Sequence, residues 1–538
     1  MAAGDRLSTL PDRALHRVLS FLDVQNAPRT SVLSRRWRTL WRQVDAVSLD
    51  TWSYGSHGYD GESVGSALFR DALAAVGAAG RCPVRKLSVL VESYYQLDYV
   101  SDVVGTSPGM DAVLAAPAVR GLEELSVVLR AEFGDKCPEY VLPTSRVPCQ
   151  SLRVLELAGL TLGPPGAAVF ARLETLKMVF IDSSLENLQA MLDAAPNLAR
   201  LWLEWLQYVN IQLEEDVGDD DVMSKRRVLL RCPIATVSVT LMHCHVTDGL
   251  DLDAPSLRSL RYKGFLEHFP LSSTTPSGPP PNLQHVQLSF CTARWCGRGG
   301  SYPYRETPRH ALFWEPVGTF SRLVVLKVKL QDINDLAVHS EQEQEVLLKG
   351  FPNLRFLQLK GSYEEDHYGT AVAIGNLLRC CPALQELRLK FKIHGDLYAS
   401  PKGWVHRSEE RQAQMDLEKS MASLQRLKSE TVTSASTSSS VVDADDGDLS
   451  ALKARSFPCL GAHLRKIRME FKLESFNCFE VKLTKFLVEN AVVLEEMEVH
   501  DGDQAVYEHV HHKLAMWRAN SAKSKIKIVG QHNNGSSL

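Results

Sequence analysis

The side chains that could do chemistry are scattered, and none forms a catalytic constellation. The sequence has no G-x-x-x-x-G-K-[ST] phosphate cradle, no H-E-x-x-H zinc helix and no G-x-S-x-G nucleophile turn. It has no Cys-x-x-Cys pair to seed a zinc site. His243-Cys244-His245 falls in a predicted strand, so its two imidazoles would share a face, but no further ligands accompany them. His509, His511 and His512 form a second cluster, expected on an exposed terminal helix. Cys380-Cys381 closes a helical pattern just before Pro382, an ordinary place for buried thiols. Two acidic runs, Glu214 to Asp221 and Asp443 to Asp448, lack calcium-loop spacing: in the second, Gly447 comes one position early and no glutamate follows. The expectation is a chain with no catalytic residue, no metal and no cofactor.

A different set of polar residues is regularly spaced. Leucines recur as L-x-x-L-x-L, and in a strand the residues between them point to the opposite face. That face would carry Glu124, Ser126 and Glu156, then Arg200, Trp202 and Glu204. Further on it would carry Arg261 and Lys263, Lys327 and Lys329, Lys360, Arg388 and Lys390, and Lys466 and Arg468. Cations thus gather toward the C-terminal half. Such a stripe suits an acidic or phosphorylated partner, with Trp202 and Phe356 as apolar anchors. Lysine and arginine are also common on any solvated strand face, and both aromatic residues could serve packing alone.

The elements that would hold these residues are repeats. Clear units begin at Leu122, Leu152, Leu173, Leu198, Leu257, Leu283, Leu323, Leu354 and Leu384; weaker ones begin at Val84 and Ile234, and late ones at Leu464 and Leu494. Ala195-Pro196-Asn197-Leu198, Ala254-Pro255-Ser256-Leu257, Phe351-Pro352-Asn353-Leu354 and Cys381-Pro382-Ala383-Leu384 share a proline lead-in. Proline cannot donate to a ladder, so it marks the turn into each strand. The spacing fits irregular leucine-rich repeats of an α/β solenoid, with parallel strands on the concave face and helices behind. Ser184–Ala195 and Thr370–Cys381 are candidate outer helices.

Length and composition agree with such an array. The chain has 538 residues, 44% hydrophobic and 23% charged, so it can bury a large core. Net charge is −4, and no long uncharged apolar run occurs, so neither nucleic acid nor a membrane is an expected partner. The early charges Asp5, Arg6, Asp12 and Arg13 do not suit a secretory leader, and 11 scattered cysteines suit reduced thiols. The nucleus, the cytoplasm or both are the expected location.

The N-terminal stretch is the most specific signal. Pro11 and Asp12 suit a helix start, and Leu15, Val18, Leu19 and Leu22 then share one face. Asn26 can cap a short second helix whose first turn tolerates Pro28. A second apolar stripe runs Leu33, Trp37, Leu40 and Trp41. About 40 residues bury too little surface to be very stable alone, so part of this apolar surface is expected to face a partner.

DRLSTLPDRALHRVLSFLD followed by RTSVLSRRWRTLW resembles the F-box of plant F-box proteins, with Pro28 as a departure from the usual pattern. The repeats resemble the leucine-rich region of F-box/LRR proteins. The stretch Cys459-Leu460, Leu464, Phe486-Leu487, Glu489-Asn490-Ala491, Leu494 and Met497 resembles the FBD region that closes many of them. The resemblance implies a three-helix F-box that docks on the SKP-type adaptor of a cullin–RING ubiquitin ligase, and a solenoid that selects the protein substrate. It assigns Leu10, Pro11, Leu15, Val18, Leu19, Leu33 and Trp37 to forming or supporting the adaptor contact. An interaction scaffold outside any ligase and a small-molecule receptor using the same solenoid are the alternatives. The expected layout is an F-box at 1–48 and a solenoid at 81–400. A low-complexity, largely disordered insertion follows at 401–456, then FBD-like closing repeats at 457–505 and a terminal helix and tail at 506–538.

Overall fold

The computed structural model describes residues 10–54, 64–78, 82–93, 109–131, 141–142, 147–206, 228–244, 250–271, 275–291, 308–363, 367–393, 449–471, 479–500 and 527–529. They belong to two compact units, Met1–Gly264 with His268–Pro280, and Phe265–Glu267 with Pro281–Leu538.

The first unit begins with a small helical module. Its helices are Asp12–Leu19, Asn26–Arg29 and Trp37–Leu40, joined and ended by single 3-10 turns at Thr30–Val32 and Trp41–Gln43. Leu15, Leu19, Trp37, Leu40 and Val44 form its core, with Leu10, Leu22, Trp41 and Ala46 packed around them. Arg36 ties the third helix to the start of the first, donating to the Leu10 carbonyl at 2.7 Å and pairing with Asp12. The second helix is capped differently from the sequence expectation. Asn26 lies inside it; Asp23 accepts from the Gln25 and Asn26 amides, both at 2.9 Å, and from the Asn26 side chain at 2.7 Å. Burial works to raise the Asp23 pKa, but the hydrogen bonds from Asn26, Ser53 and Gln25 outweigh it and hold the carboxyl below its ordinary value. Pro28 stays within the first turn, where its missing amide leaves nothing unsatisfied.

A parallel ladder follows: β1 Ala46–Asp50, β2 Lys86–Ser93, β3 Glu124–Ala131, β4 Val154–Ala158, β5 Thr175–Val179, β6 Arg200–Glu204, β8 Ser238–Met242 and β10 Ser259–Gly264. β7 Val228–Arg231 and β9 Leu250–Asp253 form a separate parallel pair. In the second unit β11 His285–Phe290, β12 Val325–Asp332, β13 Phe356–Tyr363, β14 Glu386–Ile393, β15 Lys466–Glu470, β16 Glu496–His500 and β17 Lys527–Val529 pair in sequence order, all parallel. Helices such as Leu185–Asp193, His367–Cys380 and Phe479–Asn490 connect successive strands. Ser184 caps the first of these, accepting from the Asn187 amide at 3.2 Å.

The repeat consensus explains the core. Its leucines stack in register rows, Leu125–Leu155–Leu176–Leu201–Val239–Leu260 in the first unit and Val286–Leu326–Leu357–Leu387–Ile467–Met497 in the second. All are buried. The proline lead-ins form a recurrent tight turn, with Leu198, Leu257 and Leu354 donating to Ala195, Ala254 and Phe351, each at 3.1 Å.

Several boundaries differ from the sequence expectation. The ladder starts at Ala46, directly after the helical module and well before residue 81. The repeat assigned to Ile234 begins two residues later. Ile234 is 80% exposed, whereas Thr236 is buried in the leucine position, its hydroxyl donating to the Leu198 carbonyl at 2.8 Å. A satisfied hydroxyl can occupy a site that an apolar pattern reserves for leucine. The end of the region taken as insertion is folded: Ser450–Lys453 is helical, and Leu449 and Leu452 are buried. Most of that insertion, the acidic runs and the expected terminal helix lie outside the described residues. β17 extends the ladder beyond the FBD-like stretch, where the sequence suggested a terminal helix and tail.

The strand ends in the first unit carry a backbone signature. Gly159, Phe180, Trp205 and His243, the first residues after β4, β5, β6 and β8, have φ of 69°, 51°, 51° and 55°. Their amides continue the ladder to the Val179, Glu204, Met242 and Lys263 carbonyls. A side chain at Gly159 would place its Cβ 1.9 Å from the Leu129 carbonyl oxygen, so only glycine fits there. In the next three repeats the left-handed backbone holds a ring stack: Phe180 to Trp205 at 5.6 Å and Trp205 to His243 at 4.3 Å between centroids. Stacking offsets the steric cost of left-handed backbone at residues with a Cβ.

Candidate functional site

Two surfaces carry the sequence candidates. The first is the helical module, where burial separates residues that share one apolar pattern. Leu15, Leu19 and Trp37 are core, so they support a surface and do not form one. Leu10 is half-buried against that core and Pro11 is exposed. Val18 and Leu33 face solvent, 46% and 60% exposed. Phe21 and Val32, which the helical spacing left out, are more exposed still, at 77% and 87%. The first helix ends at Leu19, so 3.6-residue periodicity could not place Phe21. The usable signal was composition, since large apolar side chains in short turns have no core of their own to enter.

The second surface is the solvent-facing side of the strands. In the first unit, Trp202 lies under two cations, Lys177 at 5.5 Å and Arg261 at 5.7 Å, and donates to Glu204 at 3.0 Å. Lys177 also pairs with Glu156 at 2.6 Å. Lys263 lies on β10, next to the left-handed His243; burial first, then Lys263, lowers the His243 pKa against the opposing pull of Glu204. The ring is therefore a neutral member of the stack, and His245 lies outside the described residues.

In the second unit Phe356, at the repeat position of Arg200, also lies close to two cations: Lys327 at 5.6 Å and Arg388 at 5.0 Å from its ring centre. Lys329, Lys360 and Lys390 are register neighbours on β12, β13 and β14. The charge is less one-sided than the sequence suggested. Arg388 pairs with Glu386 at 2.6 Å, Lys466 with Glu496 at 2.9 Å, Arg468 with Glu498 at 3.3 Å, and Lys390 with Glu470. These acids were out of view because the stripe was read strand by strand, while the pairs form mostly across strands. Arg261 and Lys263 belong to one unit and the other basic candidates to the other, so they are two clusters and not one described stripe.

Among the described residues, neither surface places a nucleophile beside a base. Cys380 and Cys381 are buried at the end of the His367–Cys380 helix; burial pushes the first thiol up to about 12 and the second well above its ordinary value.

Residues 7–46 match the F-box domain family, and residues 110–268 match the family described as FBD-associated F-box protein At5g56370, LRR repeats. The chain carries an F-box followed by a leucine-rich-repeat region. Its F-box region is similar to the MEIOTIC F-BOX protein MOF of Oryza sativa subsp. japonica, 52% identical over 58 residues, 11% of this chain and 12% of that one. Over a longer stretch it is similar to an FBD-associated F-box protein of Arabidopsis thaliana, 25% identical over 276 residues, 51% of this chain and 58% of that one. An F-box/LRR-repeat protein of the same plant is 27% identical over 264 residues, 48% of this chain and 64% of that one. The chain thus spans 12%, 58% and 64% of the length of these three relatives. Neither matched family is described by a catalytic activity.

Proposed function

We propose that this F-box/LRR protein is the substrate-recognition subunit of an SCF-type cullin–RING ubiquitin ligase. Exposed apolar side chains on the F-box carry the reading: Val18, Phe21, Val32 and Leu33 lie open on a module whose own core is already filled by Leu15, Leu19 and Trp37. Apolar surface of this kind on a small domain suits a protein partner, here an SKP-type adaptor. The repeats then bind the protein to be ubiquitinated. The contribution to catalysis is proximity, with the chemistry left to the ligase's other subunits, so the chain needs no catalytic residue of its own. Its place of action is the nucleus, the cytoplasm or both.

The test is a pull-down of the full chain with a purified SKP-type adaptor, followed by assembly with cullin and RING subunits. Wild type is expected to bind, and Leu10→Ala with Pro11→Ala to bind more weakly. A wild-type chain that does not bind the adaptor overturns the reading and leaves an interaction scaffold.

A further inference from the structure

On the solvent-facing side of the strands, charged register neighbours are mostly of opposite sign. Lys86 pairs with Glu124 at 3.0 Å, Glu156 with Lys177 at 2.6 Å, Lys466 with Glu496 at 2.9 Å and Arg468 with Glu498 at 3.3 Å. Arg388 faces Arg468, but each has its own acid, Glu386 and Glu498. One place departs from this. Lys329, Lys360 and Lys390 stand directly opposite one another on three successive strands, with Lys327 a row away on β12. Glu470 pairs with Lys390 at the end of the row; among the described residues no carboxylate pairs with Lys329 or Lys360.

Like charges placed directly opposite destabilise a sheet. Lys360 feels this: burial first, then Lys390, Lys329 and Lys327, lowers its pKa, with only Glu470 opposing. Lys329 and Lys360 therefore lack the carboxylate partners that Lys86, Lys177, Arg388, Lys466 and Arg468 have on this face. Strands lie about 4.8 Å apart, so three ammonium groups span roughly 10 Å across the sheet. An extended chain brings alternate side chains about 6.8 Å apart onto one side, within reach of successive flexible lysines. Phe356 lies two register rows from Lys360, with its ring between Lys327 and Arg388, and adds an apolar surface next to those two cations.

We propose that the Lys329–Lys360–Lys390 row, bordered by Lys327, docks an acidic peptide segment laid across β12, β13 and β14, its alternate anionic side chains meeting successive lysines. This deepens the reading of the repeats as the target-binding part and rests on it. The shared chemistry is an anionic side chain, whether carboxylate or phosphoryl.

Fluorescence anisotropy with the full chain tests the proposal. The probes are three labelled 12-residue peptides: one alternating Glu and Ser, the same peptide with two of its serines phosphorylated, and a control with Gln in place of Glu. Wild type is expected to bind at least one anionic peptide tenfold or more tighter than the Gln control, and the preferred peptide identifies the source of the anion. The double variant Lys329→Gln, Lys360→Gln should weaken that binding at least tenfold while its unfolding midpoint rises, because like-charge repulsion is relieved. Lys466→Gln, outside the row, should bind as wild type. No preference over the Gln peptide, unchanged binding by the double variant, or tighter binding of a single-stranded oligonucleotide would overturn the proposal. The titration contains no adaptor, so a chain that captures acidic peptide but not adaptor overturns the ligase reading alone.

Discussion

Truncating Phe21 to alanine separates surface from core on the F-box. A phenylalanine side chain has about 200 Å² to bury, and Phe21 is 77% exposed, leaving about 150 Å² for a partner to cover. At about 25 cal/mol per Å², covering that area is worth at most about 4 kcal/mol. The Cβ retained by alanine and the ordering of side chains at the contact reduce this, so the expected loss is about 2–3 kcal/mol, or roughly 30- to 150-fold in Kd. Folding should barely change, because the side chain touches little of its own domain. Leu15→Ala is the converse: a fully buried leucine whose loss costs about 2–5 kcal/mol of stability through the cavity it leaves. Calorimetric titration against an SKP-type adaptor, with denaturant melts of the same samples, distinguishes the two. Phe21→Ala should lose affinity at unchanged stability, and Leu15→Ala should lose stability first. Adaptor affinity for Phe21→Ala within about threefold of wild type would refute the assignment of this surface.

Three further outcomes follow from the geometry. Gly159→Ala meets a carbonyl oxygen 1.9 Å away in a left-handed backbone and should cost at least about 2 kcal/mol in a denaturant melt. Thr236→Val keeps the shape but removes the donor to the Leu198 carbonyl, and should cost about 1–2 kcal/mol by the same measurement. Asp335 is raised to about 6, mainly by burial, with Arg309 opposing at 3.1 Å. The folded state holds this proton more tightly than the unfolded state, so the stability it contributes is present at low pH and is lost as pH climbs through about 4 to 6. The stability difference between wild type and Asp335→Asn, read from melts across that range, should fall with rising pH and level off above it.

The fold was legible because the leucine spacing is a direct image of strand alternation: Leu201 and Leu203 point inward because Trp202 points outward. Thr236 broke the frame, since its place in the core depends on a carbonyl in the preceding repeat. β1 was missed because Val47 and Leu49 follow the F-box with no proline lead-in. The candidate sites were legible only in part. Helical periodicity collects core and surface residues alike, so Leu15 and Val18 looked equivalent until burial separated them. Cross-strand partners such as Glu470 for Lys390 lie 80 positions away in the chain and leave no local trace.

The junction between the F-box and the first strands has one more consequence. Val44 is core to the F-box, and β1 begins two residues later, at Ala46. The Val24 amide donates to Ser48 at 2.9 Å, while the amides of Cys82 and Arg85 reach back to the Arg42 and Asp45 carbonyls at 3.1 and 2.7 Å. Here the chain has no hinge. A partner held on the F-box and a molecule held on the neighbouring strands would share one frame of reference, so their separation is a built-in length and not an average over a tether. Inserting a few glycines after Val44 would turn that fixed length into a distribution, and a process that depends on aim would lose precision while both grips stayed intact.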